Sequence, residues 1–200
     1  MLSLNSIQIN TGPSQLIKDL SITFLPSAII YLTGPNGSGK TSLLRVLAGI
    51  QSPSKGSITF GQNSYPIDTL DKPYCTYIGH NNAVKKDLTI YENLQFWAEI
   101  YNSAELLDAA IYYFGLDSIL NQKCYELSAG NLKKVALARL LSCHSNLWLL
   151  DEVDSNLDAE NKKLLNNMII SKANSGGIVF ISTHQKPSIE SGLILDITKY

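Results

Sequence analysis

Eight consecutive residues carry the clearest chemistry in this chain of 200: Gly34-Pro35-Asn36-Gly37-Ser38-Gly39-Lys40-Thr41, with Ser42 behind them. The pattern is GxxxxGK[ST]. Phosphate oxygens are held by clustered backbone N–H donors, and glycine lets a backbone fold tightly enough to aim several of them inward. Lys40 brings a cation to the β- and γ-phosphates, and the Thr41 hydroxyl is a hard oxygen ligand for Mg²⁺. A second group, Asp151-Glu152, closes the apolar run Leu147-Trp148-Leu149-Leu150. At the carboxyl edge of a strand, Asp151 can hold Mg²⁺ through water while Glu152 faces the γ-phosphate and polarises an attacking water. Alone, an Asp-Glu pair there is an ordinary strand end. Downstream of a phosphate loop it reads as the hydrolytic half of a nucleotide site.

These groups need elements to hold them. Ala28 to Leu32 is continuously apolar, as a strand buried on both faces should be, and Thr41 to Ala48 reads as a helix closed by Gly49. That is the strand–loop–helix setting in which a helix N-terminus adds its positive end to the phosphate site. Leu2–Ile9 and Leu20–Phe24 alternate apolar and polar residues, the mark of half-buried strands, with Gly12-Pro13 between them and a further strand over Ser57–Phe60. From about Thr89 to Tyr113, Leu94, Trp97, Ala98 and Tyr101 recur at helical spacing, until Gly115-Leu116 breaks the stretch. Ala129 to Leu141 predicts another helix, on Leu132, Val135, Ala136, Arg139 and Leu140. Strands over Leu147–Leu150 and Ile178–Ser182 flank a helix over Ala159–Ser171. Strand–helix alternation at both ends around a helical middle predicts a parallel α/β core with an α-helical insertion.

Bulk composition narrows the function classes. With 44% hydrophobic residues, 16% charged residues and a net charge of −1, the chain is globular and lacks the basic arm of a nucleic-acid binder. Charged residues are sparse against the roughly 25% of an average soluble domain, so part of the surface is expected to be covered by a partner. No apolar run approaches the roughly 18 residues that a membrane span needs. Met1 to Asn5 lacks the basic start and apolar core of a signal peptide. Cys75, Cys124 and Cys143 are scattered and form no CxxC, which points to reduced thiols and not to a zinc or covalent haem site.

Between the two nucleotide motifs stands Leu127-Ser128-Ala129-Gly130-Asn131, opening the predicted helix. Here the chain resembles the ATP-binding subunits of ABC transporters, whose signature reads LSGGQ or a close variant. Phosphate loop, signature, acid pair, Ser155-Asn156-Leu157-Asp158 as the D-loop and Thr183-His184 as the switch histidine follow in family order. The resemblance implies a P-loop NTPase fold: a mainly parallel sheet, an N-terminal antiparallel β subdomain and an inserted helical lobe. It would form a single domain over 1–200, with 1–82 and 146–200 as the nucleotide-binding core and about 83–145 as the lobe. It also implies nucleotide contacts from Ser128, Ala129, Gly130, Asn131 and Asp158, and a catalytic role for His184 beside Glu152. A serine, a glycine and a helix N-terminus make a second anion nest. One chain already holds phosphates at Gly37 to Thr41, so the second nest should serve the nucleotide of another copy. Two copies would then sandwich two ATP molecules head to tail, closing on binding and opening on hydrolysis. Without the other motifs, Ser128 and Gly130 would be a plain helix N-cap.

Several positions depart from the family. Asn81 stands where a glutamine senses the γ-phosphate and Mg²⁺, with the same amide chemistry one methylene shorter. Asn131 replaces the last signature glutamine, Val153 stands where proline commonly follows the acid pair, and no aromatic lies near Asn10-Thr11-Gly12 to stack a base. The expectation is a working but slow ATPase with loose base selectivity. The stretch Tyr77 to Trp97 is similar to the haem-exporter subfamily, which supplies the ATPase subunit for bacterial cytochrome c maturation. Gly79-His80 before Asn81, Lys85-x-x-Leu88-Thr89, the LSA-G form of the signature and Ser182-Thr183-His184-Gln185 carry that likeness. It implies a separate integral-membrane subunit, a peripheral position on the cytoplasmic face of the bacterial inner membrane, indirect contact with haem-handling chaperones, and no nucleic acid. Tyr91, Leu94, Phe96, Trp97 and Tyr101 are either part of the docking surface or the core of the lobe; helical spacing does not separate the two. His144 beside Cys143 reads as a solvated turn. The alternatives are the ATPase of another transporter, and a soluble ABC protein of DNA or ribosomes. The latter class usually carries paired cassettes, a coiled-coil insertion or a basic surface. A module that no longer hydrolyses is opposed by Glu152 and His184.

Overall fold

The structure, a computed structural model, describes residues 1–61, 63–64, 74–79, 82–155 and 157–200. An antiparallel sheet holds β1 (Leu2–Thr11), β2 (Ser14–Phe24), β4 (Lys55–Phe60) and β5 (Asn63–Ser64) in the order β2-β1-β4-β5. The β1–β2 hairpin turns at Gly12, whose φ of +57° is open to glycine at little cost. Pairing continues to Thr11↔Ser14, so β2 begins six residues before the alternating pattern at Leu20. A second, all-parallel sheet holds β3 (Ile29–Thr33), β6 (Cys75–Ile78), β7 (Leu147–Asp151), β8 (Ile178–Ser182) and β9 (Leu193–Asp196) in the order β6-β7-β8-β3-β9.

Alternation along these parallel strands builds two cores. Ile29, Tyr31, Trp148, Leu150, Val179 and Ile181 face one way; Ile30, Leu32, Leu147, Leu149, Ile178 and Phe180 face the other. Both faces are covered, which is why β3, β7 and β8 read as unbroken apolar runs. The first face is covered by α2 (Ile90–Ile100), α3 (Leu107–Tyr113), α4 (Ala129–Leu141) and α5 (Ala159–Asn174). The second receives α1 (Lys40–Leu47), which is sandwiched against β1 and β2 through Leu43, Leu44, Val46 and Leu47. Phe24 of β2 meets Phe180 of β8 edge to face at 5.0 Å, tying the two sheets together.

The helical stretch expected over 89–113 is two helices. α2 starts with a capping box: the Thr89 hydroxyl accepts from the Glu92 N–H at 3.1 Å and the Glu92 carboxylate accepts from the Thr89 N–H at 2.7 Å. It ends at Ile100 with Tyr101 as its C-cap; Asn102 then enters the left-handed region at φ +48° and the buried Ser103 hydroxyl donates to the Ser142 carbonyl at 2.6 Å. That contact draws the chain towards the end of α4 before α3 begins. α4 has the expected limits, while α5 runs three residues past Ser171.

Candidate functional site

Three neighbouring strands, β7, β8 and β3, end at one edge of the parallel sheet. Each runs into a segment with chemistry: Asp151-Glu152, Thr183-His184 and the phosphate loop. The crevice beyond the carboxyl ends of an open parallel sheet is where loop N–H groups and helix N-termini converge on ligands. A cavity of about 410 Å³ opens there, lined by Asn36, Gly37, Gly39, Lys40, Thr41 and Ser42 together with Glu152, His184 and Leu16.

The loop is shaped by its glycines. Gly34, Gly37 and Gly39 have φ of +140°, +79° and +105°. A Cβ on Gly34 would lie 2.7 Å from the Ser38 hydroxyl, and one on Gly39 would lie 3.2 Å from Leu16 Cβ. Gly39 is the N-cap of α1, without a side-chain cap, so the first-turn N–H groups remain for a ligand. The Lys40 side chain is folded back over the loop, its ammonium donating to the carbonyls of Gly34 at 2.7 Å and Pro35 at 3.0 Å. The Ser38 hydroxyl is buried with no partner. A cation, an unpaired hydroxyl and open N–H groups fit a polyanion.

Asp151 is 2% exposed. Its Oδ1 accepts from the Thr41 hydroxyl at 3.2 Å and from the Ser182 hydroxyl at 2.5 Å, and its Oδ2 from the Tyr77 hydroxyl at 3.3 Å. Ser182 is the register partner of Asp151 across β7 and β8. Burial, then the charge of Asp151, pushes the Tyr77 phenol up, so it remains a donor. A carboxylate beside a threonine hydroxyl suits a hard divalent cation such as Mg²⁺. Among the described residues no three His, Cys, Asp or Glu side chains cluster as a metal cage.

Glu152 has φ +53°, a conformation that costs a non-glycine residue about 1 kcal/mol or more and that recurs at working sites. Its N–H donates to the Ser182 carbonyl at 3.1 Å, and its carboxylate lies 2.9 Å from His184 Nε2. Val153, where proline was the usual residue, is fully buried and fills the core behind the pair. Lys133 of α4 is 5% exposed; burial lowers its ammonium while Asp154, Asp151 and Glu152 pull it back up.

The remaining expected site residues lie apart from this cavity. Ser128 caps α4, its hydroxyl accepting from the Asn131 N–H at 3.2 Å, and Ala129 and Gly130 form the first turn. A Cβ on Gly130 would meet only the Ser128 hydroxyl, at 3.9 Å, so this turn is open on its outer side. Asp158 caps α5: its carboxylate accepts from the Asn161 N–H at 2.8 Å, which with the Asn161 amide holds it below the usual carboxylate range. None of these five residues lines the phosphate-loop cavity. Asn81 lies outside the described residues, as do His80 and Asn156.

The structure separates the aromatic candidates. Leu94 and Tyr101 belong to the core, Tyr101 donating to the Cys75 carbonyl at 2.6 Å. Tyr91 is exposed, and Phe96 lies under the Lys85 ammonium at 3.9 Å. Trp97 stacks on the Arg139 guanidinium at 4.3 Å and borders a second cavity of about 390 Å³ with Ile50 and Ile100. His144 is exposed and pairs with Glu105 at 2.8 Å, whereas Cys143 is buried and its thiol is pushed up to about 11. Leu16 belongs to no motif, and Tyr77 and Ser182 stand in stretches that carry the family likeness without a chemical role of their own; strand pairing brings all three to the site.

The family described as ABC transporter matches residues 17–155 of this chain. The cytochrome c biogenesis ATP-binding export protein CcmA of Rickettsia typhi is 58% identical over 197 residues, 98% of each chain. The protein of the same name from Wolbachia pipientis is 42% identical over 185 residues, covering 92% of this chain and 89% of its own. Among solved structures, an ATP-binding subunit of an ABC transporter superposes with a TM-score of 0.84 at 22% identity, over 98% of this chain and 86% of the other. A dimeric ATP-binding cassette in a post-hydrolysis state with ADP and Pi gives 0.83 at 19% identity, over 98% and 95%. The two structural matches establish the fold; the family match and the close relatives establish kinship. The chain belongs to the ABC transporter family, alongside the CcmA proteins, and is an ATP-binding, ATP-hydrolysing subunit of that family.

Proposed function

We propose that this chain uses ATP with Mg²⁺ to drive the export step of bacterial cytochrome c biogenesis, moving haem or releasing a haem-loaded chaperone through a membrane partner. The observation that carries the hydrolytic reading is the 2.9 Å contact of His184 with Glu152 in the cavity that also holds Lys40 and Thr41. In this mechanism the loop N–H groups and Lys40 hold the β- and γ-phosphates. The Glu152 carboxylate accepts a hydrogen bond from a water behind the γ-phosphorus and takes its proton as the water oxygen bonds to phosphorus and the bond from phosphorus to the ADP leaving oxygen breaks. His184 fixes the Glu152 carboxylate through Nε2. Thr41 and Asp151, with Asn81, would hold Mg²⁺, which would supply charge neutralisation for the phosphates.

Ser128, Ala129, Gly130, Asn131 and Asp158 lie outside their own chain's cavity, which supports a homodimer in which they contact the second copy's nucleotide. The helical lobe of this single ABC domain is assigned to about 83–145, between core segments 1–82 and 146–200. Ile50 and Ile100, 62% and 45% exposed, border the cavity at Trp97 and support docking of an integral-membrane subunit there. Among the described residues no helix is long and apolar enough to cross a membrane, and the position assigned is peripheral, on the cytoplasmic face of the inner membrane. The cargo reading rests on the CcmA relatives. A net charge of −1 offers nucleic acid no electrostatic footing.

The test is to tag the Glu152→Gln chain, solubilise native membranes with ATP present and identify what co-purifies. A multi-span subunit together with haem-handling assembly proteins is the expected result. A different permease overturns the cargo, and recovery with ribosomes or DNA overturns the transport role.

A further inference from the structure

Strand β6 runs beside β7 in parallel, with Tyr77 paired to Leu149, two residues short of Asp151. Tyr77 packs against the same core as Leu149, on the α1 side of the sheet. A short side chain at this position would stop below the site, whereas the phenol spans the diagonal and puts its hydroxyl 3.3 Å from Asp151 Oδ2. The other oxygen, Oδ1, is engaged by Thr41 and Ser182. Gly79 makes room for the ring: a Cβ there would lie 2.9 Å from the Tyr77 hydroxyl and 3.1 Å from its Cε1. The main chain is fixed as firmly, because Arg139, 3% exposed and covered by Trp97, donates to the Tyr77 carbonyl at 2.7 Å. The ring borders both the cavity at Trp97 and a further cavity of about 420 Å³ shared with Thr41, Asp151 and Glu152.

We propose that Tyr77 is a positioning residue that sets the orientation of the Asp151 carboxylate for its divalent cation. The inference rests on the reading of Asp151 as a Mg²⁺ ligand and adds a donor that no motif marks. Groups that hydrogen-bond a ligating carboxylate fix its direction, and removing one weakens metal binding by about 10–100-fold. The lower end applies here, because Thr41 and Ser182 remain on Oδ1.

The test is Tyr77→Phe, which keeps the ring and deletes the hydroxyl. Mn²⁺ replaces Mg²⁺ as a spectroscopic probe, titrated into the chain saturated with a non-hydrolysable ATP analogue and read by electron paramagnetic resonance. The dissociation constant for Mn²⁺ is expected to rise about tenfold, with analogue affinity in EDTA unchanged. In steady-state assays the Mg²⁺ concentration for half-maximal turnover should rise in step, while turnover at saturating Mg²⁺ recovers, a split that a folding defect would not give. Gly79→Ala, which crowds the hydroxyl without removing it, should shift Mn²⁺ affinity the same way and serves if Tyr77→Phe folds poorly. Mn²⁺ affinity lost in Asp151→Asn but unchanged in both Tyr77→Phe and Gly79→Ala overturns the role of Tyr77 alone. Mn²⁺ affinity indifferent to Asp151→Asn overturns the metal reading of Asp151, and the proposal with it.

Discussion

If Glu152 and His184 act as one unit, removing both should cost hardly more than removing the more important one. Their contact is a single hydrogen bond of 2.9 Å, and both groups face the same cavity. Glu152→Gln preserves shape and the backbone at φ +53° but cannot take a proton. A positioned general base contributes about 10²–10⁴ in rate, so turnover should fall about 10²–10³-fold, or about 3–4 kcal/mol of barrier. His184→Ala removes the contact that fixes the carboxylate and should cost about 10²-fold. The double variant is then expected near the Glu152→Gln value, a coupling of about 2–3 kcal/mol; independent groups would multiply to about 10⁴–10⁵. The assay is steady-state phosphate release at saturating ATP and Mg²⁺, with equilibrium ATP binding beside it. Affinity should stay within about threefold in all three variants, because the residues proposed to hold the phosphates are others. Glu152→Gly adds a control: glycine adopts φ +53° freely, so its melting temperature should hold or rise while turnover is lost. Multiplicative losses in the double variant, or a Glu152→Gln turnover within threefold of the parent, would refute this reasoning.

Among the described residues Leu16 is the apolar side chain lining the phosphate-loop cavity, and a leucine offers a base no hydrogen bond, so GTP should bind within about threefold of ATP, and Leu16→Ala should weaken both by a similar factor of about five; a tenfold preference for adenine would count against it. Burial pushes the thiols of Cys75 up to about 12 and Cys143 up to about 11, so a disulfide reagent at pH 8 should leave both untouched until the chain unfolds. Rapid labelling of either thiol in the native protein would contradict that. The Asp158 carboxyl is held low by the Asn161 N–H, so its stabilising effect is present above the ordinary carboxylate pKa and disappears as pH falls through the lowered value. Asp158→Ala should therefore lower the urea midpoint at pH 7 but close on the parent in strong acid, and an equal gap at both pH values would exclude the cap as the cause.

The phosphate loop was legible because it is local: eight contiguous residues, an apolar strand before and a helix after suffice to define it. β7 and β8 were equally plain, since burial on both faces leaves an unbroken apolar run. β6 and β9 were not. Cys75-Thr76-Tyr77-Ile78 buries a threonine and half-exposes a tyrosine, so it shows neither an apolar run nor a clean alternation. β9 lies at the sheet edge, where Leu193 and Ile194 are exposed and only Leu195 is buried, so its apolar residues do not report its burial. Leu16 reaches the cavity from a strand 18 residues before the loop begins, and Ser182 meets Asp151 only through the β7–β8 register. The aromatic run on α2 stayed ambiguous because one helix turn presents residues to both a core and a groove: Leu94 fills the first and Trp97 borders the second.

Binding and hydrolysis therefore rest on different physical supports. The phosphate loop is built within one strand, one turn and one helix, so whatever keeps β3 and α1 packed keeps it. The groups proposed for hydrolysis depend on two strands staying in register: Asp151 faces Ser182, and the Glu152 N–H is held by the Ser182 carbonyl. A one-residue slip between β7 and β8 would turn Asp151 to the opposite face and carry Glu152 away from His184. That register is set by Leu147, Leu149 and Trp148, whose side chains alternate between the two cores. Damage to the first core, which does not contain α1, should thus reach hydrolysis before it reaches nucleotide binding. The strained turn at Glu152 is the point where the two supports meet, because its backbone belongs to the strand pair and its carboxylate to the cavity.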